Sequence, residues 1–479
     1  MKRHCWGLLL HLVVLLGINL VVADGERLIF AGDVLLGREV AREMDRRPGE
    51  SPWAGLTEIK QATFAMANFE GAVGGEETDC DSRSPTPCFR IDPSRLSALG
   101  QAGFSAVGLA NNHAGDLGEQ GRLQTRSALE KVGVASLDFA TSPGFVRLGQ
   151  HTLGLVALNR IGDRNRRQDP APSLDSARKL RLARTLADWV VVFIHWGAEL
   201  RDWPQPEQIE LAEWLIGQGA DLIIGHHPHV PIAPQCLKGR PVFFSLGNHL
   251  FDQKYPQTRQ GLMADCRIED SYLSCDAVTT TTAPGSFFPH RENATTTGIA
   301  DCRIAAGGGL HLANHHLRPW GEAGRLLTAP LVLEGTSPDH RSWKSAARHL
   351  LSLEAVSFEA DKPPLLLSIE RHPSSLDREE GPRPYVYQVA DRGLVARWRG
   401  SALAWPLIEA QAMPAGDGLH RLCALHRADS FIRLDPANKE TRTALYQWNG
   451  FGFRAANDPE NEARCEALYR ALQSKALPS

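Results

Sequence analysis

The chain has 479 residues, of which 43% are hydrophobic and 22% are charged. This composition is typical of a folded globular protein long enough for two or three domains, and it excludes a disordered chain. The formal net charge is −3, and Lys and Arg are spread along the chain rather than gathered in a basic patch, so we expect no nucleic-acid partner.

The N-terminus has the pattern of a secretory signal peptide. Lys2 and Arg3 precede an apolar run over residues 6–22, which ends in small residues. We therefore predict a signal peptide over residues 1–23 and a chain secreted across the inner membrane, periplasmic or associated with the cell envelope. An uncleaved membrane anchor is the alternative, although the run is near the lower length limit for a membrane span.

The cysteine content fits an oxidising compartment. Removal of the signal peptide also removes Cys5 and leaves an even number of cysteines, for which disulfides are the expected state. Two local pairs are predicted: Cys80 with Cys88 across a Pro-containing loop, and Cys266 with Cys275 across a hairpin. The sequence contains no Cys-x-x-Cys pair, so we do not expect the cysteines to bind metal.

Short apolar runs alternate with amphipathic stretches between residues 27 and 252, which is the pattern of an α/β domain. Helices are predicted at Pro93 to Leu99, Gly121 to Val132, Leu174 to Ala187 and Pro206 to Gln218.

Six of the apolar runs share a second property, because each ends in polar residues. These residues are Asp33; Asn68 and Glu70; Asn111, Asn112 and His113; His195; His227 and His229; and Asn248 and His249. In open α/β sheets, ligands bind at the carboxyl ends of the strands. We therefore expect the six strand ends to converge on one site.

The region after residue 252 is richer in strand signals. Residues 261–278 and 298–317 are predicted as β-rich, and Ser342 to Leu353 as a closing helix of the same domain. A Pro-rich break near residue 363 then marks the start of a second module. The predicted division is a first domain over residues 24–358 and a small β-rich C-terminal module over residues 363–479.

The C-terminal module has no motif that we can assign to a function. Its tryptophans Trp398, Trp405 and Trp448 are predicted to pack in its core, with a polymer-binding platform as the alternative. A final amphipathic helix is predicted from Pro459 to Leu472.

The converging residues form a mixed oxygen and nitrogen ligand set without a thiolate. Such a set suits Zn, Mn or Fe in a two-metal site and argues against a structural zinc. The predicted ligands are Asp33, Glu70, Asn112, His195, His227 and His229. Glu70 is the expected bridge between two divalent ions, and His113 is the predicted general acid for the leaving-group oxygen. For any one of these residues, ordinary hydrogen bonding at a strand end is the alternative.

These motifs and their order resemble the CapA-type poly-gamma-glutamate capsule synthesis proteins, which are relatives of the calcineurin-like metallophosphatases. The shared motifs are F-A-G-D ending at Asp33, N-F-E ending at Glu70, A-N-N-H-A-G-D-L-G from Ala110, H-W-G from His195, G-H-H-P-H-V from Gly225 and S-L-G-N-H-L-F-D-Q from Ser245. The resemblance runs from about Leu28 to about Ser357. It implies a four-layer α/β/β/α metallophosphoesterase-like sandwich, here with an additional small β-rich module.

Two positions depart from the family pattern. Leu35 stands where the wider phosphoesterase family has the histidine of an Asp-x-His motif, so one metal has lost a ligand or uses another. His249 stands where the family more often has Phe, and it either replaces the missing ligand or packs in the core. Asn68, Arg90 and Asn248 are predicted to contact the substrate, since the planar guanidinium of Arg90 suits phosphate or carboxylate.

The resemblance implies a role in making or exporting an anionic polymer. The first hypothesis is a secreted metal-dependent hydrolase of phosphoester or related bonds, with an anionic polymer or phosphoester as substrate. The alternative is a non-catalytic, metal-binding assembly factor that holds the polymer or contacts a membrane-bound polymer synthase. An amide-bond hydrolase or transferase acting on the polymer is a third reading, since the same metal chemistry attacks acyl carbons.

Overall fold

The computed structural model describes residues 25–75, 80, 87–163, 167–292, 297–299, 302–373, 380–431, 435 and 437–474. The signal peptide predicted at residues 1–23 and Cys5 lie outside the described residues. Within these ranges, none of the helices is long and apolar enough to cross a membrane.

Strands and helices alternate through the first half of the chain. In chain order the elements are β1 (Glu26–Val34), α1 (Arg38–Arg46), α2 (Thr57–Gln61), β2 (Phe64–Phe69), β3 (Ala72–Val73), β4 (Arg90–Ile91), α3 (Ser97–Ala102), β5 (Ala106–Gly108), α4 (Gly118–Lys131), β6 (Ala135–Leu137), β7 (Gly144–Leu148), β8 (His151–Asn159), α5 (Leu174–Leu186), β9 (Trp189–His195) and α6 (Pro206–Gly217). The four predicted helices are confirmed, and the first of them opens with a 3-10 turn at Pro93–Leu96.

After α6, the described elements are strands, apart from a 3-10 turn at Pro256–Arg259 and the final helix. The elements up to the predicted module boundary are β10 (Leu222–His226), β11 (Pro231–Ile232), β12 (Gln235–Leu237), β13 (Arg240–Phe243), β14 (Ser245–Leu246), β15 (Asn248–Leu250), β16 (Gln260–Glu269), β17 (Tyr272–Thr282), β18 (Pro289–Arg291), β19 (Thr297–Gly298), β20 (Ile304–Ala305), β21 (Leu310–Leu312), β22 (His315–Pro319), β23 (Leu326–Leu327), β24 (Leu333–Thr336), β25 (Ser342–Lys344) and β26 (Leu350–Val356). Those beyond it are β27 (Leu365–Pro373), β28 (Glu380–Ala390), β29 (Gly393–Arg399), β30 (Leu407–Pro414), β31 (His420–Arg427), β32 (Thr441–Trp448), β33 (Phe453–Ala455) and α7 (Pro459–Ser474).

Two large sheets form the α/β region. The first has the order β18-β17-β16-β1-β2-β5-β6, with β15 also beside β1, and with β19 and β20 beside β17. Its strands β1, β2, β5 and β6 run parallel, whereas β16 and β17 are antiparallel. The second sheet has the order β12-β13-β10-β9-β8-β7-β23, with a parallel centre of β8, β9, β10 and β13. The predicted α/β class is confirmed.

The alternation of side chains along β1 shows how the two sheets pack. Phe30 faces the second sheet, in one apolar cluster with Phe193 and Ile224. Its neighbour Ile29 faces the opposite way, into a cluster that includes Leu99 of α3. On the far side of the second sheet, residues of α5 and α6 pack against β9 and β10. Helices therefore cover the outer face of each sheet, and the apolar core between the sheets fixes their separation.

The predicted closing helix at Ser342 to Leu353 is wrong, because this segment forms strands β25 and β26. β25 pairs with β24, and β26 pairs with β27. These neighbouring strands offer hydrogen-bond partners that outweigh the helical preference of a short Ala- and Leu-containing segment. The connection from β26 to β27 also spans the predicted module boundary between residues 358 and 363, so the boundary falls inside one sheet.

The C-terminal part contains two four-stranded sheets, β26-β27-β28-β29 and β30-β31-β32-β33. They share an apolar cluster in which Trp448 is buried and Trp398 partly buried, next to Phe358. Trp405 lies beside His426, with the Arg442 guanidinium 4.5 Å from its ring. Helix α7 confirms the predicted final helix and covers the second of these sheets.

The eight described cysteines form four disulfides. Both predicted local pairs, Cys80–Cys88 and Cys266–Cys275, are present. The other two are Cys236–Cys302 and Cys423–Cys465. The Cys236–Cys302 bond joins β12, at the edge of the second sheet, to the segment before β20 of the first sheet, so it connects the two sheets covalently.

The disulfide that joins the two sheets should contribute more stability than the hairpin disulfide. It closes a loop with a sequence separation of 66, against 9 for Cys266–Cys275. A longer closed loop restricts the unfolded chain more, by about 4 kcal/mol against about 2.5 kcal/mol. We expect Cys236→Ala/Cys302→Ala to lower the free energy of unfolding in urea by more than Cys266→Ala/Cys275→Ala. Equal losses of unfolding free energy in the two double variants would contradict this prediction.

Candidate metal centre

Polar residues at the ends of strands from both sheets meet in one buried cluster. The first sheet contributes Asp33 at the end of β1 and Glu70 directly after β2. The second sheet contributes His195 at the end of β9, and His227 and His229 directly after β10. All five are buried, and the convergence follows because β1 and β2 run parallel in one sheet and β9 and β10 in the other.

Asn68 lies beneath the acidic residues rather than on an open surface. Its Nδ2 donates to Asp33 Oδ1 at 2.8 Å and lies 3.4 Å from both Glu70 Oε2 and His195 Nδ1. Its Oδ1 accepts from Asn111 Nδ2 at 3.1 Å. The side chain is buried, so these contacts orient the acidic residues from below.

Asn112 and Asn248 each contact one of the histidines. His195 Nε2 lies 2.8 Å from Asn112 Oδ1, and His229 Nδ1 lies 2.9 Å from Asn248 Oδ1. An amide oxygen next to an imidazole nitrogen fixes the orientation of the ring. His229 Nδ1 also lies 3.2 Å from Asp33 Oδ2, and its Nε2 lies 3.7 Å from Glu70 Oε1.

The ligand-type atoms form two groups, in each of which the atoms lie within 4.8 Å of one another. Asp33, Glu70 and His195 form a buried group, and His227 and His229 form the second with Glu199. Glu199 was missed in the sequence analysis, where its only signal is its place four residues after His195 in the loop that follows β9.

Several atoms of the cluster are suited to a cation. Glu70 Oε1 and His227 Nδ1 are buried and make no hydrogen bond to any described residue, and Asp33 Oδ2 faces the His229 imidazole at 3.2 Å. Buried carboxylate oxygens without a donor are costly unless a positive charge lies beside them. Carboxylate and imidazole together match the ligands that Zn, Mn and Fe take in proteins. The residues present therefore fit a divalent metal.

Burial and neighbouring charges shift the pKa values of the acidic residues and histidines in the cluster. Burial raises the pKa of Glu70 well above its ordinary value. Burial also opposes ionisation of Asp33, but hydrogen bonds with His226 and His229 hold its pKa well below the ordinary value. For His229, the effect of burial is outweighed by Glu70 and Asp33, which raise its pKa to about 9. Burial and repulsion from His229 lower the pKa of His227 to about 3.

The backbone around the histidines adopts an uncommon conformation. His227 has a φ of +97° and His229 a φ of +59°, both in the region that favours glycine. His226, between Gly225 and His227, is buried with its Nδ1 3.3 Å from Asp33 Oδ1. Strain of this kind is retained mainly where surrounding structure holds a side chain in a particular place.

His113 lies between a carboxylate and an aromatic ring, next to the buried cluster. Its Nδ1 lies 2.9 Å from Asp116 Oδ2, and its Nε2 lies 3.8 Å from Glu70 Oε1. The Phe89 ring stacks on the imidazole at a centroid distance of 3.7 Å, and the Phe89 N–H donates to the same Asp116 oxygen at 2.7 Å. Asp116 thus holds one nitrogen of His113 and leaves the other directed toward Glu70.

A cavity of about 300 Å³ opens beside His113, with Asn112, Glu199 and His229 in its lining. Arg90 was predicted to contact the substrate, but it does not line this cavity. Its guanidinium donates to the carbonyl of Gly75 at 3.1 Å, because β4 pairs with β3 and directs the residue there.

The two departures from the family pattern are both buried away from the ligand groups. Leu35 packs in the apolar core on the helix side of the first sheet. His249 follows Asn248 on β15, and adjacent strand residues point to opposite faces. Its ring packs edge-on against Phe104 at 6.3 Å. The structure therefore favours packing over a ligand role for His249.

Replacement of His249 by Phe should stabilise the protein at acidic pH. Burial lowers the pKa of His249 to about 3, and neither ring nitrogen has a hydrogen-bond partner among the described residues. The folded state therefore holds the neutral ring, whereas the unfolded state binds a proton below pH 6.5, so stability is lost as the pH falls from 6.5 toward 3. The cost is about 2 kcal/mol at pH 5.

We expect His249→Phe to raise the unfolding temperature more at pH 5 than at pH 8, measured by thermal unfolding, without reducing the metal content. A loss of bound metal in this variant would instead support the ligand role.

Residues 27–253 match the family model described as "Bacterial capsule synthesis protein PGA_cap". The chain is 26% identical over 261 residues to the PGA biosynthesis protein CapA of Bacillus subtilis, covering 50% of this chain and 67% of the relative. It is 28% identical over 260 residues to the capsule biosynthesis protein CapA of Bacillus anthracis, covering 50% of this chain and 63% of the relative.

A probable polyglutamine synthesis accessory protein of Mycobacterium tuberculosis is 27% identical over 244 residues, which cover 45% of this chain and 64% of the relative. The matches to the Bacillus anthracis and Mycobacterium tuberculosis relatives thus span less than two thirds of those proteins. Among solved structures, a mutant of Vps29 from Entamoeba histolytica covers 47% of this chain and 98% of its own, at 15% identity. Its TM-score of 0.22 is too low to support a comparison of folds.

The family match covers all six strand-end motifs and stops where the last of them ends. Through residues 27–253, the chain matches the family of bacterial capsule synthesis proteins.

Proposed function

We propose that this chain is an exported, metal-dependent hydrolase of phosphoester or related bonds that serves the synthesis or export of an anionic exopolymer. The observation that supports it most is the buried group of Asp33, Glu70 and His195 beside a His113–Asp116 pair at one cavity. The names of the Bacillus relatives, which place those proteins in PGA and capsule biosynthesis, support the polymer role. The proposed substrate is an anionic polymer or phosphoester, and the proposed partner is a membrane-bound polymer synthase.

The layered packing supports the four-layer α/β/β/α sandwich of the metallophosphoesterases. Two sheets share one core, and helices cover their outer faces. The disulfides support export, because such bonds persist in oxidising compartments.

In this proposal, the metal ligands are the predicted set of Asp33, Glu70, Asn112, His195, His227 and His229, with Glu199 added. Bound divalent cations supply a nucleophile at neutral pH and stabilise charge on the phosphoryl oxygens. Asn68 orients Asp33 through its amide, and Glu70, whose Oε1 lies 3.7 Å from His229 Nε2, would be the carboxylate shared by the two groups.

His113 holds the proton for the leaving group. Asp116 accepts from Nδ1, which fixes the ring and leaves Nε2 as the nitrogen that gives and takes a proton on the side of Glu70. The Phe89 ring covers one face of the imidazole and excludes water from that side. Asn248 is proposed to contact the substrate, because its side chain lies next to His229.

One observation favours a second function, a non-catalytic factor that uses the same cleft to hold the polymer. Leu35, at the position of the phosphoesterase histidine, is fully buried among apolar side chains and offers no ligand atom. Metal binding without turnover on a phosphoester panel would favour this second function over hydrolysis.

Loss of the His113 side chain should separate chemistry from metal binding. We expect His113→Ala to reduce kcat on phosphoester substrates by about 10²- to 10⁴-fold, because general acid catalysis contributes that much. Bound metal per chain, measured by elemental analysis, should not change. His372→Ala, which removes an exposed histidine of the C-terminal part, is the matched control. Full activity in His113→Ala would exclude the acid role.

Loss of the Glu70 carboxylate should weaken metal binding directly. We expect Glu70→Gln to reduce Mn²⁺ affinity by at least about tenfold, since a neutral amide replaces a charged ligand. Titration of the metal-free protein by calorimetry measures the effect. Glu207→Gln, at an exposed acid on α6, should bind Mn²⁺ like the unsubstituted protein. Unchanged affinity in Glu70→Gln would refute the proposed ligand set.

A further inference from the structure

The cavity beside His113 contains one strongly basic side chain among the residues described. Arg38 lines the cavity, and its side chain is 42% exposed. Besides the imidazole of His229, the other charged lining groups are carboxylates, and two of them have partners: Asp116 contacts His113, and Asp163 pairs with an arginine of α4. The permanent positive charge that an anionic ligand meets in this cavity is therefore the Arg38 guanidinium.

The Arg38 guanidinium is already positioned by two neighbours. Its Nη2 lies 2.9 Å from Asp252 Oδ1, and its central carbon lies 4.9 Å from the centroid of the Phe89 ring. The same ring stacks on His113 at 3.7 Å, so the guanidinium is no farther from the imidazole than these two lengths combined. A guanidinium held in this way loses little conformational freedom when it binds a ligand.

The backbone at Arg38 indicates that the side chain has a function outside the fold. Its φ is +53°, in the left-handed region that only glycine occupies without cost. The first turn of α1 does not require an arginine here, because Asp252 Oδ2 already accepts from the N–H of Glu39 at 3.1 Å. A strained non-glycine residue at the edge of a cleft is a recognised mark of ligand contact.

We propose that Arg38 is the residue that recognises an oxyanion in this cavity, so that the ligand presents a phosphate or a carboxylate group beside His113. The fork of a guanidinium binds either group through two parallel hydrogen bonds. The location of the reacting bond rests on the proposed hydrolase function, whereas anion binding at Arg38 does not require turnover.

The test is equilibrium binding, measured by calorimetry on the full chain with and without Mn²⁺. Inorganic phosphate and a γ-linked glutamate oligomer are the two probes, and they distinguish a phosphoester from a polymer carboxylate as the source of the oxyanion. The variants are Arg38→Gly and Arg38→Ala. The matched control is Arg42→Ala, one turn further along α1, where the arginine side chain is 68% exposed and pairs with Glu39.

We expect both Arg38 variants to weaken binding of at least one probe by about tenfold or more, since they remove a charged hydrogen-bond donor. Arg42→Ala should bind both probes like the unsubstituted chain. Arg38→Gly should unfold at a higher temperature than Arg38→Ala, because glycine relieves the left-handed backbone. Binding unchanged in Arg38→Gly, equal loss in Arg42→Ala, or no binding of either probe to the unsubstituted chain would overturn the proposal.

Asp252→Asn separates recognition from a structural role. The amide keeps an oxygen for the Glu39 N–H but removes the charge that competes for the guanidinium, so the oxyanion should bind more tightly. If the Arg38–Asp252 pair only stabilised the loop, the same substitution would weaken binding. Binding that depends on Arg38 without any phosphoester turnover would reject the hydrolase and keep the anion site, and turnover with binding independent of Arg38 would do the reverse.

Discussion

The burial of two carboxylates next to each other is the constraint on which the candidate site depends. Asp33 and Glu70 are fully buried, and a buried charge costs several kcal/mol unless a partner of opposite charge lies close by. In the metal-free cluster, His229, whose pKa is raised to about 9, and the amide of Asn68 meet part of that cost. A divalent cation would take the place of the His229 proton as the positive charge. The same charge that makes the metal-free cluster unfavourable is what gives it affinity for metal.

The distance between the two halves of the site is set by residues outside the site. Asp33 and Glu70 come from the first sheet, and the three histidines and Glu199 come from the second. The apolar core between the sheets therefore fixes how closely oxygen and nitrogen ligands approach. At Gly108, an added Cβ would lie 2.5 Å from the ring of Phe193, so the sheets are in direct contact near this end.

The parts of the structure that follow from local sequence could be predicted, and those that depend on tertiary register could not. Apolar runs that end in polar residues predicted the cluster of polar side chains at the strand ends, because the signal lies within a few residues. Arg38 and Glu199 were missed, since neither follows a strand directly: Arg38 opens α1 four residues after β1, and Glu199 lies four residues after β9. β25 and β26 were predicted as helix, because only their neighbouring strands determine their conformation.

The position of β1 in the first sheet determines how much of the chain is needed to complete that sheet. This first strand of the chain lies between β2 and strands from much later, since Asp33 is opposite Asn248 and Ala31 is opposite Met263. The segment that holds the family's motifs ends at residue 253, before β16 begins. Cut out by itself, that segment would leave the strand bearing Asp33 with an open edge along most of its length. The motifs of this family all lie within residues 27–253, but the sheet that carries Asp33 and Glu70 includes strands well beyond that segment.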